Sequence, residues 1–179
     1  MKKQAAVLLA MAVLINFAYN ATLPLHFDEA YYWVWSQHLQ GSYFDHPPMI
    51  AYLIRAATFW GHAEWQVRLA PLFCATLTGW GIWRLAGEMY GYQVACRALV
   101  IFLLSPLAQI DFTLATPDAP LILCWTAVVF FAYKAMLEGN HSYYILLGLA
   151  GGFALLSKYT AVLILPAFLL FLCFSSRKS

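Results

Sequence analysis

The chain reads Phe27-Asp28-Glu29-Ala30-Tyr31-Tyr32-Trp33-Val34-Trp35 and, shortly after, Tyr43-Phe44-Asp45-His46-Pro47-Pro48. These two stretches bring together three carboxylates, a histidine and many large aromatic side chains. The remainder is mostly apolar, since 63% of all 179 residues are hydrophobic and 10% are charged. A soluble domain carries about 25% charged residues. We therefore predict an integral membrane protein whose acidic, aromatic stretch lies at the membrane surface.

Six apolar segments follow one another, at about 5–25, 65–86, 92–110, 119–137, 142–157 and 159–175. A membrane span needs about 20 residues, so the last two are short and read as a hairpin broken at Ser157-Lys158-Tyr159. The first segment follows Lys2 and Lys3, as in a signal peptide. A small-residue cleavage site is missing, which favours an uncleaved helix. The predicted fold is an all-α polytopic bundle with about six membrane spans.

Lysine and arginine counts predict the orientation, because cytoplasmic loops are enriched in these residues. With a cytoplasmic N-terminus, that side receives Lys2, Lys3, Arg84, Arg97, Lys134, Arg177 and Lys178. The opposite side receives only Arg55, Arg68 and Lys158. The same topology collects most acidic residues on the outer face, namely Asp28, Glu29, Asp45, Glu64, Asp111 and Asp118. We therefore expect a functional site on the outer face. The net charge of +2 is too small to indicate a nucleic-acid partner.

The external loop, residues 26–63, is expected to hold two interfacial helices. Asp28 can cap a helix that runs from Glu29 to about Gln40, and Gly41 suits its C-terminal end. The run Pro47–Trp60 is apolar but too short to span a membrane, and we take it as the second helix. Aromatic side chains around the first helix favour the membrane–water boundary.

Each polar candidate has a functional and a purely structural interpretation. A carboxylate at Asp28 or Glu29 can act as a general base, or it can simply favour the start of a helix. Asp118 lies in Ala115-Thr116-Pro117-Asp118-Ala119-Pro120 and has the same two interpretations. Asp45 and His46 could bind a phosphate-bearing ligand or a divalent metal, or could form a polar turn.

The basic candidates divide in the same way. Lys158 interrupts an apolar run of about thirty residues, and an ionisable residue in such a place is a functional hypothesis by default. It could neutralise a phosphate at the outer interface, or it could extend along the apolar surface to reach water. Arg55 and Arg68 could face an anionic lipid head, although each alone is better explained as an interface anchor.

Four stretches occur in this order: Asp28-Glu-Ala-Tyr-Tyr-Trp, Tyr43-Phe-Asp-His-Pro-Pro, Ala115-Thr-Pro-Asp-Ala-Pro-Leu and Leu156-Ser-Lys-Tyr-Thr-Ala. With them the chain resembles the bacterial family 39-like glycosyltransferases of the GT-C fold, from about residue 5 to 175. This group includes protein O-mannosyltransferases, aminoarabinose transferases acting on lipid A, and rhizobial lipid A galacturonosyltransferases.

The resemblance implies an enzyme of the bacterial inner membrane with a cytoplasmic N-terminus and a periplasmic active site. Such enzymes move a sugar from a polyprenyl-phosphate carrier to lipid A, another glycolipid or a protein. No cofactor is firmly implied, no residue is assigned to a metal, and a divalent metal remains an option. The implied catalytic residues are Asp28, Glu29 and Asp118. Asp45 and Lys158 match the family's motif residues and are implied to bind substrate, and His46, Arg55 and Tyr159 are the further substrate-binding candidates.

Two features depart from the family pattern. Aminoarabinose transferases carry basic residues where this chain has Tyr31 and His46, which argues against aminoarabinose as the donor sugar. Family members are several hundred residues long, so residues 1–179 are expected to form an N-terminal catalytic module. A missing C-terminal half or a partner chain would then complete it. The alternative function is a non-catalytic membrane module that binds a lipid carrier or a partner chain.

Overall fold

The computed structural model describes residues 2–175, and this part of the chain is helical with no strand. Arg177 and Lys178, which contributed to the predicted orientation, lie outside the described residues. The helices are α1 Lys2–Asn20, α2 Phe27–Gln37, α3 Met49–Ala57, α4 Glu64–Val67, α5 Leu69–Tyr90, α6 Tyr92–Leu104, α7 Pro106–Thr113, α8 Asp118–Glu138, α9 His141–Ser157 and α10 Ile164–Ser175. A 3₁₀ helix, Tyr159–Leu163, joins the last two. The predicted all-helical class is confirmed.

Among the described residues, two helices are long and apolar enough to cross a membrane, namely α1 and α8. A third span results if α6 and α7 are counted as one. These two helices are bent by 67° at Ser105, although the sequence predicted one helix over 92–110. Pro106 explains the break, because a proline disfavours helical geometry in the residue before it, and Ser105 is extended. Six spans remain a prediction.

Helix α5 lies at the centre of the bundle and packs against α1, α3, α6, α7 and α8. Its contact with α8 depends on Gly81, where an added Cβ atom would lie 2.9 Å from Cγ2 of Thr126. Small residues let helix backbones approach closely in membranes. This approach fixes α8, whose first residue is Asp118, relative to the central helix.

Helix α2 begins and ends earlier than the sequence indicated. His26, not Asp28, is the N-cap, because its Nδ1 accepts a hydrogen bond from the Asp28 N–H at 3.4 Å. Glu29 completes a capping box by accepting from the His26 N–H at 2.9 Å. The helix ends at Gln37, well before Gly41. Asp28 therefore stands in the first turn, where its side chain is not used for capping.

The second loop helix, α3, lies inside the predicted run Pro47–Trp60. It packs on α2 through the fully buried Ile50 and Ile54, beside the stacked rings of Trp35 and Tyr43, whose centroids are 4.2 Å apart. The two helices thus form one unit around an apolar core. Packing against α3 therefore holds α2, which carries Asp28 and Glu29, in a defined position.

Helices α8 and α9 form an antiparallel hairpin that returns the chain to the level of Asp118. The turn uses Gly139, whose φ of 63° lies in the left-handed region that glycine adopts most easily. At the far end, α9 stops at Ser157 because Lys158 is extended, with φ −157° and ψ 141°. The predicted break at residues 157–159 is confirmed.

Candidate active site

Asp118 and Lys158 form an ion pair across the α8–α9 hairpin. The Lys158 Nζ donates to Oδ1 of Asp118 at 2.7 Å. The Lys158 side chain is 27% exposed and the Asp118 side chain is 46% exposed, so the ion pair is accessible from the surface. Asp118 and Lys158 were predicted as separate candidates from the sequence and lie 40 positions apart, but in the structure they form a single ion pair.

Asp28 projects from the first turn of α2, and its side chain is 46% exposed. Its Oδ2 lies 3.5 Å from Nδ1 of His26, a distance that becomes an ion pair when the imidazole is protonated. The carboxylate is thus accessible and has no strong partner within hydrogen-bonding distance. A group in this condition is free to accept a proton or a hydrogen bond from a ligand.

Asp45 lies in the turn after α2 and accepts a hydrogen bond from the Tyr31 hydroxyl at 3.0 Å. This hydrogen bond raises the pKa of Tyr31, since the carboxylate favours the protonated phenol. The neighbouring His46 faces the ring of Tyr32, with 6.1 Å between ring centroids. The second motif is thereby held against the helix that carries the first.

Tyr32 lies in α2 four residues after Asp28 and beside the ring of His46. Its side chain is 8% exposed and packs edge-on against Trp35. Burial raises the pKa of Tyr32 to about 12, and nearby negative charges add to the effect. Those charges belong to Asp28, Asp118 and Asp45. The carboxylates that act on this phenol come from two parts of the chain, residues 26–63 and the start of α8. Sequence reasoning missed Tyr32, although its position four residues after Asp28 places both on one helix face.

Glu29 has a different environment from its neighbour Asp28, because it is completely buried. It forms an ion pair with Arg68, with 2.7 Å between Oε2 and Nη2. Arg68 itself is 2% exposed, so its interpretation as a membrane-interface anchor is wrong. The signal for this pairing could not be read locally, since 39 residues separate the two partners.

The remaining predicted residues lie on the exposed rim. The Arg55 guanidinium donates to Oε1 of Gln37 at 3.3 Å, and its side chain is otherwise exposed. The Tyr159 hydroxyl lies 3.4 Å from Oγ of Ser42, which joins the open end of the α8–α9 hairpin to the loop after α2. Within residues 2–175 no three histidine, cysteine, aspartate or glutamate side chains are grouped closely enough to hold a metal.

Comparison with known proteins gives two matches. The dolichyl-phosphate-mannose-protein mannosyltransferase family matches residues 45–179. The lipid A galacturonosyltransferase RgtD of Rhizobium johnstonii is 27% identical over 157 residues, which is 86% of this chain and 32% of that protein. The chain thus spans about a third of the length of this relative. No solved structure matches.

The family match covers the last two of the four ordered stretches in full and the second stretch from Asp45 onward, so it includes Asp45, Asp118 and Lys158. It accounts for three quarters of the chain and agrees with the helical, membrane-type architecture. The chain belongs to the dolichyl-phosphate-mannose-protein mannosyltransferase family of GT-C glycosyltransferases.

Proposed function

We propose that this chain forms the catalytic module of a glycosyltransferase that moves a sugar from a polyprenyl-phosphate carrier to an acceptor. The acceptor would be lipid A, another glycolipid or a protein, on the periplasmic side of the bacterial inner membrane. The observation that carries the proposal is the accessible ion pair between Asp118 and Lys158, which joins two of the ordered stretches of the sequence. Transfer from a lipid phosphate is favoured by an accessible base for the acceptor hydroxyl and by a cation for the departing phosphate.

In the proposed reaction Asp28 acts as the general base. Its side chain is half exposed and lacks a strong partner, so it can accept the proton of the acceptor hydroxyl. The hydroxyl oxygen then forms a bond with the anomeric carbon of the donor sugar. The bond between that carbon and the phosphate oxygen breaks, and its electron pair leaves with the polyprenyl phosphate. In-line attack of this kind inverts the anomeric carbon.

Lys158 is proposed to neutralise the departing phosphate. A cation held where negative charge develops lowers the barrier, and the Lys158 ammonium is already positioned by Asp118. Asp118 would orient this lysine and contact the reacting groups. Asp45, His46, Arg55 and Tyr159 would bind the substrates along the rim, where a protonated His46 adds positive charge.

The proposed orientation places the N-terminus in the cytoplasm and the site at the periplasmic surface. Support comes from the grouping of Asp28, Asp45, Asp118 and Lys158 at one region of the helical structure. The arginine- and lysine-containing network around Glu88 lies at the other end of α5 and α8.

A transfer assay tests the proposal. Membranes containing the chain would receive a panel of radiolabelled polyprenyl-phosphate sugars, with nucleotide sugars in parallel. We expect transfer from at least one lipid-linked donor, loss of transfer in Asp28→Asn, and retention in Glu64→Gln, which removes another exposed carboxylate. Transfer from a nucleotide sugar alone would refute the donor assignment. No transfer by a folded, inserted chain would favour the binding module.

A further inference from the structure

We infer that the buried Glu29–Arg68 ion pair is a positioning device that holds Asp28 and Asp118 in register, and that neither member of the pair contacts the substrate. The inference rests on the proposed function, because it assigns roles within the same site. Glu29, which the sequence predicted to be catalytic, is thereby assigned a positioning role instead.

Glu29 has no hydrogen-bonding capacity left for a substrate. Its Oε1 accepts from Arg68 Nε at 3.0 Å and from the Ala115 N–H at 3.1 Å. Its Oε2 accepts from Arg68 Nη2 at 2.7 Å and from the His26 N–H at 2.9 Å. A carboxylate offers about four lone-pair sites, so all of them are filled. A base or ligand-binding group needs at least one free site.

Arg68 is equally saturated. Beyond its two bonds to Glu29, Nη1 donates to the carbonyl oxygens of Asn20 at 3.0 Å and Leu23 at 2.7 Å. Nη2 also donates to the carbonyl oxygen of Pro24 at 2.6 Å. A guanidinium has five N–H donors, and these five bonds use every one. No donor remains for a phosphate or a sugar hydroxyl.

The pair joins the segments that carry the two proposed catalytic carboxylates. Arg68 stands directly before α5 and donates to the carbonyl oxygen of the last residue of α1 and to two carbonyl oxygens of the α1–α2 linker. Glu29 adjoins Asp28 and caps α2. It also holds Ala115, three residues before Asp118, in the α7–α8 linker. Charged hydrogen bonds are strengthened by burial, so this connection is stiff.

Loss of the connection should misplace the carboxylates without removing either. A misplacement of about 1 Å can cost about 100-fold in rate. We therefore expect Glu29→Gln to lower kcat by about 100-fold while the KM for the donor changes little. Glu29→Asp keeps the charge but shortens the reach, so it should fall between Glu29→Gln and the unmodified chain.

The control is Glu88→Gln. Glu88 also bridges two basic residues, Arg84 at 2.9 Å and Lys134 at 3.2 Å, but away from the site. It should lose stability while kcat stays within about twofold. If Glu29→Gln does not fold, Arg68→Lys serves as the second variant, because it keeps a cation opposite Glu29 but lacks most of the donors that bind the carbonyl oxygens of Asn20, Leu23 and Pro24. Its kcat should be as low as expected for Glu29→Gln.

A distance measurement gives a readout that needs no activity. Spin labels on Phe27→Cys and Thr160→Cys, both exposed, would report the separation between the Asp28 and Lys158 segments, with the native cysteines replaced. We expect Glu29→Gln to shift or broaden the distance distribution and Glu88→Gln to leave it unchanged. If the distances respond but no donor is used by any variant, the proposed function fails and the positioning inference stands.

Two results would overturn the inference. The first is a folded Glu29→Gln variant with unchanged distances and unchanged kcat. The second is a pH–rate profile from which Glu29→Gln removes the acidic limb, because that limb belongs to the base. A positioning residue should instead lower the plateau and leave the limb in place.

Discussion

Replacement of Lys158 by methionine should separate stability from activity. Lys158→Met keeps the length of the side chain and removes the ammonium that pairs with Asp118 at 2.7 Å. The aspartate left behind is 46% exposed, so water can solvate it. Exposed ion pairs contribute about 0–1 kcal/mol, and we expect the free energy of unfolding to fall by no more than about 1 kcal/mol.

The cost to activity should be much larger than the cost to stability. Removal of one charge-stabilising donor from an active site typically lowers kcat by about 100- to 1,000-fold, or about 2.7–4 kcal/mol. Lys158 is the proposed cation for the departing phosphate, so Lys158→Met should lose transfer in this range. Lys158→Arg keeps the charge and should retain part of the activity.

The assay combines denaturant unfolding in detergent with initial rates of sugar transfer for the three chains. Unfolding must be compared under the same conditions as transfer, so that loss of fold is not taken for loss of chemistry. A Lys158→Met variant with unmodified transfer would refute the phosphate role. A fall in stability of several kcal/mol would refute the view that water can replace this lysine.

Two further predictions concern stability. In the unfolded chain Tyr32 has the ordinary tyrosine pKa of about 10, whereas in the folded chain its pKa is about 12. The unfolded state therefore loses the phenol proton first as the pH rises, and the free energy of unfolding should fall between pH 10 and 12. Tyr32→Phe should remove this part of the decline, as followed by the unfolding midpoint at pH 9 to 12; an identical decline would contradict it. Gly81→Ala places a methyl group 2.9 Å from Thr126 and should destabilise by about 1–3 kcal/mol, whereas Gly148→Ala meets no atom within 4 Å and should not destabilise. Unfolding of both variants in detergent checks this, and equal stability would contradict the close α5–α8 contact.

The parts of the fold that local chemistry dictates were predictable. Apolar runs predicted the helical class, and the polar Ser157-Lys158-Tyr159 segment predicted the break after α9. The bend at Ser105 was missed, although Pro106 carries its signal. The N-cap of α2 was also missed, because Asp28 has the more usual capping side chain and His26 takes that role here.

The site was predictable only residue by residue. Asp28, Asp45, Asp118 and Lys158 could be chosen from their positions in apolar surroundings. Their pairing could not, because the Asp118–Lys158 contact depends on how the α8–α9 hairpin returns. The same holds for Glu29 and Arg68. They are buried while the rim residues are exposed, and this difference arises from packing between segments that are distant in the sequence.

The central claim is that Asp28 acts in chemistry on a lipid-linked sugar, and one measurement tests it most directly. Donor binding and sugar transfer would be measured in the same membranes for the unmodified chain and for Asp28→Asn. We predict unchanged donor binding and a loss of transfer of at least about 100-fold, as expected for removal of a general base. Retained transfer, or a loss of transfer that is fully explained by lost binding, would contradict the account.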